Sequence, residues 1–328
     1  MTALLRIEDV SVHFPIQKGL LQRTVGAVRA VDSVTLTLNK GEVFGLVGES
    51  GCGKTTLART VLRLVDATSG AIWFDGQNVT DLRGKALAPY RRRVAAIFQD
   101  PFSSLNPRMK AGQIIGEVLH VHAYPGDRQA RVSALLAMCG LAPRFAELYP
   151  HEMSGGQRQR VGIARALALD PDLIVCDEAV SALDVSIQAQ IITLLQDLRA
   201  KLGLTYLFIG HDLSVVRHLC DRIAVMYLGR IMETGTSDAL FDAPRHPYTR
   251  ALIDAVPAPD PDSEANRDHT ALRGEIPSAM APPSGCAFHT RCPIAMTQCS
   301  KTTPPLTTLG AGHGVACLAL ETHKTSNE

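Results

Sequence analysis

The chain lacks a long apolar run and any excess of charge of one sign, and its first residues are not expected to act as an export signal. Its 33 Lys and Arg stand against 32 Asp and Glu, a net charge of +1. No basic excess points to nucleic acid, and no acidic tail points to disorder. The best uncharged run, 302–320, contains two Pro, three Gly and four Thr, which excludes a bilayer-spanning helix there. The first residues carry Arg6, Glu8 and Asp9 where a signal peptide needs an apolar segment. A soluble chain, or one peripheral on a partner, is therefore expected. Without an export signal a disulfide framework is not expected from the eight cysteines. What remains is ordinary: 46% hydrophobic and 20% charged residues in 328, enough for a full core and two domains.

The hydrophobic pattern changes along the chain. Val10, Val12 and Phe14, and later Val34, Leu36 and Leu38, alternate with polar residues as strands do. Between them, 18–29 is a basic insertion expected to be a hairpin loop. Residues 43–47 are continuously apolar, as in a buried parallel strand, and a helix is expected over 54–64. Residues 71–74 followed by Asp75-Gly76 read as strand and turn. From 101 to 150 the pattern is helical and looser, a candidate inserted subdomain. Ser154 is placed to cap a helix over 155–169, and 173–176 is a second buried strand. Ile187, Ile191, Leu194, Leu195, Leu198 and Leu202 share one helical face that Gly203 closes. Residues 204–209 form a further strand. Alternating strands and helices predict an α/β fold with a parallel sheet covered on both faces. After a Pro/Asp linker at 257–261 comes a Gly/Pro/Cys-rich tail without clear periodicity.

The chemistry begins at Gly48-Glu49-Ser50-Gly51-Cys52-Gly53-Lys54-Thr55-Thr56, between a predicted strand and a predicted helix. Glycines let backbone N–H groups turn toward phosphate oxygens, and the helix N-terminus adds partial positive charge. Lys54 is placed to reach the β- and γ-phosphates and Thr55 to coordinate Mg²⁺. The apolar strand 173–176 ends in Asp177-Glu178. Asp177 fits a water-mediated Mg²⁺ contact, and Glu178 fits the group that orients and polarises an attacking water. Gln99, after the apolar run 94–98, is a candidate sensor of Mg²⁺ and that water. His211, past the strand ending at 209, is a candidate γ-phosphate contact. Alone, a Gln at a strand end is usually a surface side chain and a lone His is usually structural.

Ser154-Gly155-Gly156-Gln157 makes a second helix N-terminus with free N–H groups, hence a second anion site. One nucleotide has one γ-phosphate, already cradled by the first loop. A second site in the same chain points to a second nucleotide shared with another chain.

In order stand the phosphate loop, Gln99, Ser154-Gly-Gly-Gln157, Asp177-Glu178, Ser181-Ala-Leu-Asp184 and His211. The set resembles the nucleotide-binding subunit of an ATP-binding cassette (ABC) transporter over residues 1–250. The resemblance implies a P-loop NTPase with an antiparallel β-subdomain and an inserted helical subdomain at about 101–158. It implies two cassettes head to tail, each ATP held between one chain's phosphate loop and the other's Ser-Gly-Gly-Gln, with Asp184 at that interface and Phe14 stacking on adenine. Asp100-Pro-Phe-Ser-Ser-Leu-Asn-Pro-Arg108, Tyr149-Pro-His-Glu-Met-Ser154, His246-Pro-Tyr-Thr-Arg250 and Pro282-Pro-Ser-Gly-Cys286 are similar to oligopeptide and dipeptide importer ATPases, closest to the second ATPase subunit of such systems. That narrower resemblance implies ATP-driven import of di- or oligopeptides, or of nickel or another small solute. A cassette ATPase without a transport role is the remaining alternative. The implied partners are two transmembrane permease subunits, a second ATPase subunit and an extracytoplasmic substrate-binding protein, and the implied location is the cytoplasmic face of the inner membrane. No nucleic-acid partner is expected. Ala179 stands where this family usually has Pro, and Met153 where it has Leu.

Cys286, Cys292, Cys299 and Cys317 crowd into the tail, 251–328, which the resemblance makes a small irregular C-terminal extension. Four thiolates hold either zinc or a [4Fe–4S] cluster. Structural zinc prefers closer Cys pairs than any present here, while the similar tails imply the cluster. Zinc, helped by His289 or His313, and free thiols remain alternatives.

Overall fold

The computed structural model describes residues 2–19, 23–100, 104–256, 274–309 and 312–321. The chain begins with β1 (Ala3–Lys18), β2 (Arg23–Asn39), β3 (Val43–Val47), α1 (Lys54–Val61), β4 (Ser69–Phe74) and β5 (Gln77–Asn78). It continues through α2 (Ala88–Arg93), β6 (Val94–Ile97), α3 (Ala111–Val121), α4 (Arg128–Met138), α5 (Gly155–Ala166), β7 (Leu173–Asp177), α6 (Val185–Leu202) and β8 (Thr205–Ile209). It closes with α7 (Leu213–Leu219), β9 (Arg222–Tyr227), β10 (Arg230–Thr236), α8 (Ser237–Asp242), α9 (Pro247–Asp254), β11 (Thr307–Thr308), β12 (Gly314–Val315) and α10 (Leu318–Glu321). These elements fall into two compact units.

One unit takes Met1–Leu5, Leu38–Val43 and Trp73–Gly210. In it β6, β7 and β8 run parallel with β7 in the middle, Val94 opposite Leu173 and Leu173 opposite Thr205. Every residue of β7 and β8 is buried, which is why both read as unbroken apolar runs rather than alternating ones. Helix α6 lies on this sheet: the Tyr206 hydroxyl donates to the Leu195 carbonyl at 3.0 Å. Gly203, at φ 67°, ends α6 in the left-handed conformation expected of its C-cap. The looser 101–150 stretch folds as α3 and α4, packed on one another and on α5, with two short 3-10 turns after them.

The other unit takes Arg6–Thr37, Phe44–Ile72 and His211–Glu328. Here β3 runs parallel to β9, β9 antiparallel to β10, β10 antiparallel to β12, and β12 antiparallel to β11. Strands β2, β1 and β4 are neighbours in that order, for most of their length in this unit. Val10, Val12, Val34 and Leu36 turn inward as their alternation predicts.

Three expectations are corrected. Residues 23–29 are strand rather than loop: β1 runs to Lys18 and β2 starts at Arg23. Residues 23–26 are exposed throughout, so this strand buries neither face and leaves no alternation to read. The helix expected to 64 ends at Val61, and the one expected to 169 ends at Ala166 before a 3-10 turn. The tail is not wholly irregular, since Glu233 and Thr234 of β10 pair with Val315 and Gly314. The Pro/Asp linker at 257–261 lies outside the described residues.

Candidate nucleotide site

The phosphate loop is built by steric necessity. The fully buried β3 runs into Gly48. A Cβ on Gly48 would stand 2.1 Å from the Met226 carbonyl oxygen, and one on Gly53 would stand 2.0 Å from that of Ala30. Both glycines also hold positive φ, 151° and 110°. No other residue fits that backbone. Lys54 is buried, and its Nζ donates to the carbonyls of Gly48 (2.7 Å) and Glu49 (2.9 Å), spanning the loop from inside. Burial pushes the Cys52 thiol up from its ordinary pKa, against the opposing pull of Lys54. Thr55 and Thr56 stand half-buried in the first turn of α1, while Gly51 and Ser50 face solvent.

Glu49 has partners that sequence reasoning missed. Its N–H donates to the Tyr248 hydroxyl at 2.9 Å. Its two carboxylate oxygens accept from Arg291 Nη1 and Nη2 at 2.7 and 3.1 Å. A 242-residue separation hides this pair from any local pattern.

In the unit containing β7, that strand delivers buried Asp177 to its end, and Glu178 follows at φ 50°. A non-glycine residue in this region is uncommon and needs its surroundings to hold it. They do: the Glu178 N–H donates to the Ile209 carbonyl at 3.0 Å, and its carbonyl accepts from both the N–H and the hydroxyl of Ser181 at 3.1 and 3.0 Å. Gln99 Nε2 donates to Glu178 Oε2 at 2.6 Å, so two of the expected site residues are in direct contact.

Ser154 caps α5 as expected. Its Oγ accepts the Gln157 N–H at 3.3 Å, and Gln157 Oε1 accepts the Ser154 N–H at 2.9 Å, a reciprocal capping box. The Gly155 and Gly156 N–H groups, in the first turn, have no acceptor inside an α-helix. Two residues past the motif, buried Gln159 donates Nε2 to the Ala179 carbonyl at 2.6 Å, tying α5 to the residue after Glu178. Nothing in the sequence separated Gln159 from an ordinary exposed helix residue. Asp184 is the exposed N-cap of α6.

Phe14, His211 and the four tail cysteines belong to the unit that contains the phosphate loop. Phe14 sits 42% exposed on β1, a free aromatic face. His211 is exposed just before Asp212, whose Oδ1 caps α7 through the Ser214 N–H at 2.9 Å. Cys286, Cys299 and Cys317 are buried, Cys292 is half-buried, and none of the four is in a disulfide. The Cys286 N–H donates to the Cys299 carbonyl at 2.7 Å, and the Met296 N–H approaches Cys299 Sγ at 3.5 Å. Burial pushes the Cys286 thiol up to about 11, and the other three thiols add to the rise, so the four share one neighbourhood. Among the described residues no group of three or more His, Cys, Asp or Glu side chains is arranged to hold a metal ion. The two histidines considered as substitute ligands are engaged elsewhere: His313 Nε2 with Glu233 Oε1 at 2.6 Å, and His289 Nδ1 with the Cys286 carbonyl at 2.8 Å.

A glycine loop closed by a buried lysine at a helix start, and an apolar parallel strand ending in two carboxylates, define a P-loop nucleoside triphosphatase. The ABC transporter model matches residues 31–181, and the model described as "Oligopeptide/dipeptide transporter, C-terminal region" matches 232–299. The chain is 53% identical to the probable peptide ABC transporter ATP-binding protein y4tS of Sinorhizobium fredii, covering 96% of this chain and 89% of that protein. It is 51% identical to the oligopeptide transport ATP-binding protein AppF of Bacillus subtilis, covering 96% of each. Among solved structures, the ATP-binding cassette MJ0796, in a dimeric post-hydrolysis state bound to ADP and Pi, is 30% identical over 71% of this chain and 99% of that one, with a TM-score of 0.63. The chain belongs to the ATP-binding subunits of ABC transporters, ATPases of the α/β P-loop class.

Proposed function

We propose that the chain hydrolyses ATP to energise import of di- or oligopeptides through a membrane transporter. The observation that carries the reading is the clamped Glu178, held by Gln99 at the end of β7, in a chain similar over its whole length to ATP-binding proteins named for peptide transport. In this reading the chain divides into a cassette over 1–250, with its helical subdomain at about 101–158, and an extension over 251–328; two families matched over 31–181 and 232–299 support a two-part chain.

In this reading Lys54 and the loop N–H groups of residues 48–56 bind the β- and γ-phosphates, Phe14 stacks on adenine and His211 contacts the γ-phosphate. Glu178 takes the hydrogen bond of the attacking water and aligns it, with Gln99 fixing the Glu178 rotamer. Ser154, Gly155, Gly156, Gln157 and Asp184 serve a nucleotide bound by a second cassette. Thr55, Gln99 and Asp177 supply hydroxyl, carboxamide and carboxylate oxygens, the donor set of a hard cation, and are the residues to hold Mg²⁺. Mg²⁺, when bound, neutralises phosphate charge as it builds. The partners are two permeases, a distinct second ATPase and an extracytoplasmic binding protein, with the chain peripheral on the cytoplasmic face of the inner membrane. Among the described residues no helix is long and apolar enough to cross a membrane, which suits that placement.

The four tail cysteines are the ligands we assign to a [4Fe–4S] cluster. What supports the assignment is the tail's match to the oligopeptide/dipeptide transporter C-terminal family over Cys286, Cys292 and Cys299. Bound, the cluster supplies a covalent cross-link for a tail with little core of its own.

The test is uptake of a labelled dipeptide and a labelled oligopeptide by cells lacking this chain. Uptake restored by the wild-type chain and not by Glu178→Gln supports the reading. Unimpaired uptake of both in the deleted cells overturns it.

A further inference from the structure

Glu49 is the second residue of the phosphate loop, and it is held from three directions. Its carbonyl accepts from Lys54 Nζ, its N–H donates to the Tyr248 hydroxyl, and its carboxylate is gripped by both terminal nitrogens of Arg291. The first contact is internal to the loop. The other two come from α9 and from the cysteine-bearing tail.

Arg291 is unusually well fixed for so long a side chain. It is 8% exposed, and its guanidinium lies 5.8 Å from the centre of the Tyr227 ring. Its N–H donates to the Phe288 carbonyl at 3.0 Å. Phe288, 1% exposed, packs against Tyr227 and Tyr248, each with ring centres 5.3 Å away. A two-point guanidinium–carboxylate fork fixes direction as well as distance. The segment between Cys286 and Cys292 is thereby anchored in the core and reaches out to the loop that cradles phosphate.

We propose that Arg291 is a positioning residue for nucleotide binding: it sets the phosphate loop through Glu49 and passes the folded state of the cysteine-bearing tail into that loop. Loop carbonyls and N–H groups must already point correctly for phosphate to bind without an ordering cost. Glu49, pinned by its side chain, holds the two peptide units that flank it, each of which supplies a carbonyl accepting from Lys54. The inference rests on the loop being the ATP site.

The test is nucleotide affinity of the purified full chain, with a fluorescent ATP analogue and Mg²⁺, beside its melting temperature. Arg291→Gln and Glu49→Gln are each expected to weaken binding about fivefold or more, and the double variant no more than the worse single, because both act through one contact. In the assembled transporter KM for ATP is expected to rise while kcat changes little. Arg291→Lys, which keeps the charge and loses the fork, is expected to weaken binding by a smaller factor and serves if Arg291→Gln fails to fold. Cys299→Ser is expected to weaken binding in the wild-type background and to add nothing to Arg291→Gln. Affinity unchanged in the folded Arg291 variants, even with a lowered melting temperature, overturns the proposal, as do additive effects in either cycle. A wild-type chain that binds no ATP analogue overturns the ATP-site reading and this proposal with it.

Discussion

Gln99 Nε2 donates to Glu178 Oε2 at 2.6 Å, from the residue two past the end of β6 to the residue just past the end of β7. Adjacent parallel strands put these two side chains at the same end of the sheet, Ile97 opposite Cys176. The contact fixes one oxygen of a carboxylate whose backbone already sits at φ 50°. The pair is therefore a preset unit.

Gln99→Ala is expected to lower ATP turnover by about tenfold, since a mispositioned base loses part of the 10²–10⁴-fold that proton-transfer groups contribute. Gln99 is exposed, so the melting temperature should barely move. Steady-state hydrolysis and a thermal melt on the same preparation check both halves.

Gln159→Leu removes the buried bond to the Ala179 carbonyl. An unsatisfied buried carbonyl costs about 1–3 kcal/mol, and the residue it belongs to adjoins Glu178. The expected outcome is a lower unfolding midpoint in urea together with slower hydrolysis. A variant with wild-type stability would show that this bond carries nothing.

How legible this arrangement was depends on where its parts lie in the chain. Gly48 to Thr56 could be read directly because loop, lysine and helix start are contiguous, and the loop's chemistry depends on that contiguity. Asp177-Glu178 and Ser154-Gly155-Gly156-Gln157 were legible for the same reason. The Gln99–Glu178 contact was foreseen only as two candidates, since strand adjacency is not written in either segment. Arg291–Glu49 and Gln159–Ala179 were invisible: each joins an unremarkable side chain to a distant group. Short strands also escaped. Two residues each in β11 and β12 are too few to show a period, and the exposed start of β2 has no buried face to set one.

His246 gives the fold an acid-sensitive point. Its Nδ1 accepts the Tyr248 N–H at 3.1 Å, which requires a neutral ring nitrogen, and burial pushes the ring from its ordinary 6.5 down to about 3. Nearby Glu233 is occupied by the N–H groups of Arg245 and His246 and by His313. A depressed folded pKa means the unfolded chain binds the extra proton, so this contribution is full above pH 6.5 and is lost as pH falls from there toward about 3. His246→Asn keeps a capping acceptor that does not titrate. Urea unfolding across that pH range should show a shallower loss of stability in the variant, and equal slopes would contradict the assignment.

The tail makes a prediction visible to the eye. Protein purified without oxygen should be brown, with iron and sulfide in equal amounts and broad visible absorbance from thiolate-to-iron charge transfer. Serine at any one of Cys286, Cys292, Cys299 or Cys317 should bleach it. A colourless preparation carrying one zinc per chain would overturn the cluster.

The central claim is that this chain's own Glu178 hydrolyses the ATP held by its own phosphate loop. The most direct measurement is ATP binding and ATP turnover by Glu178→Gln, side by side with wild type. The account predicts wild-type affinity for ATP with turnover lower by about a hundredfold or more. Wild-type turnover in that variant would contradict it.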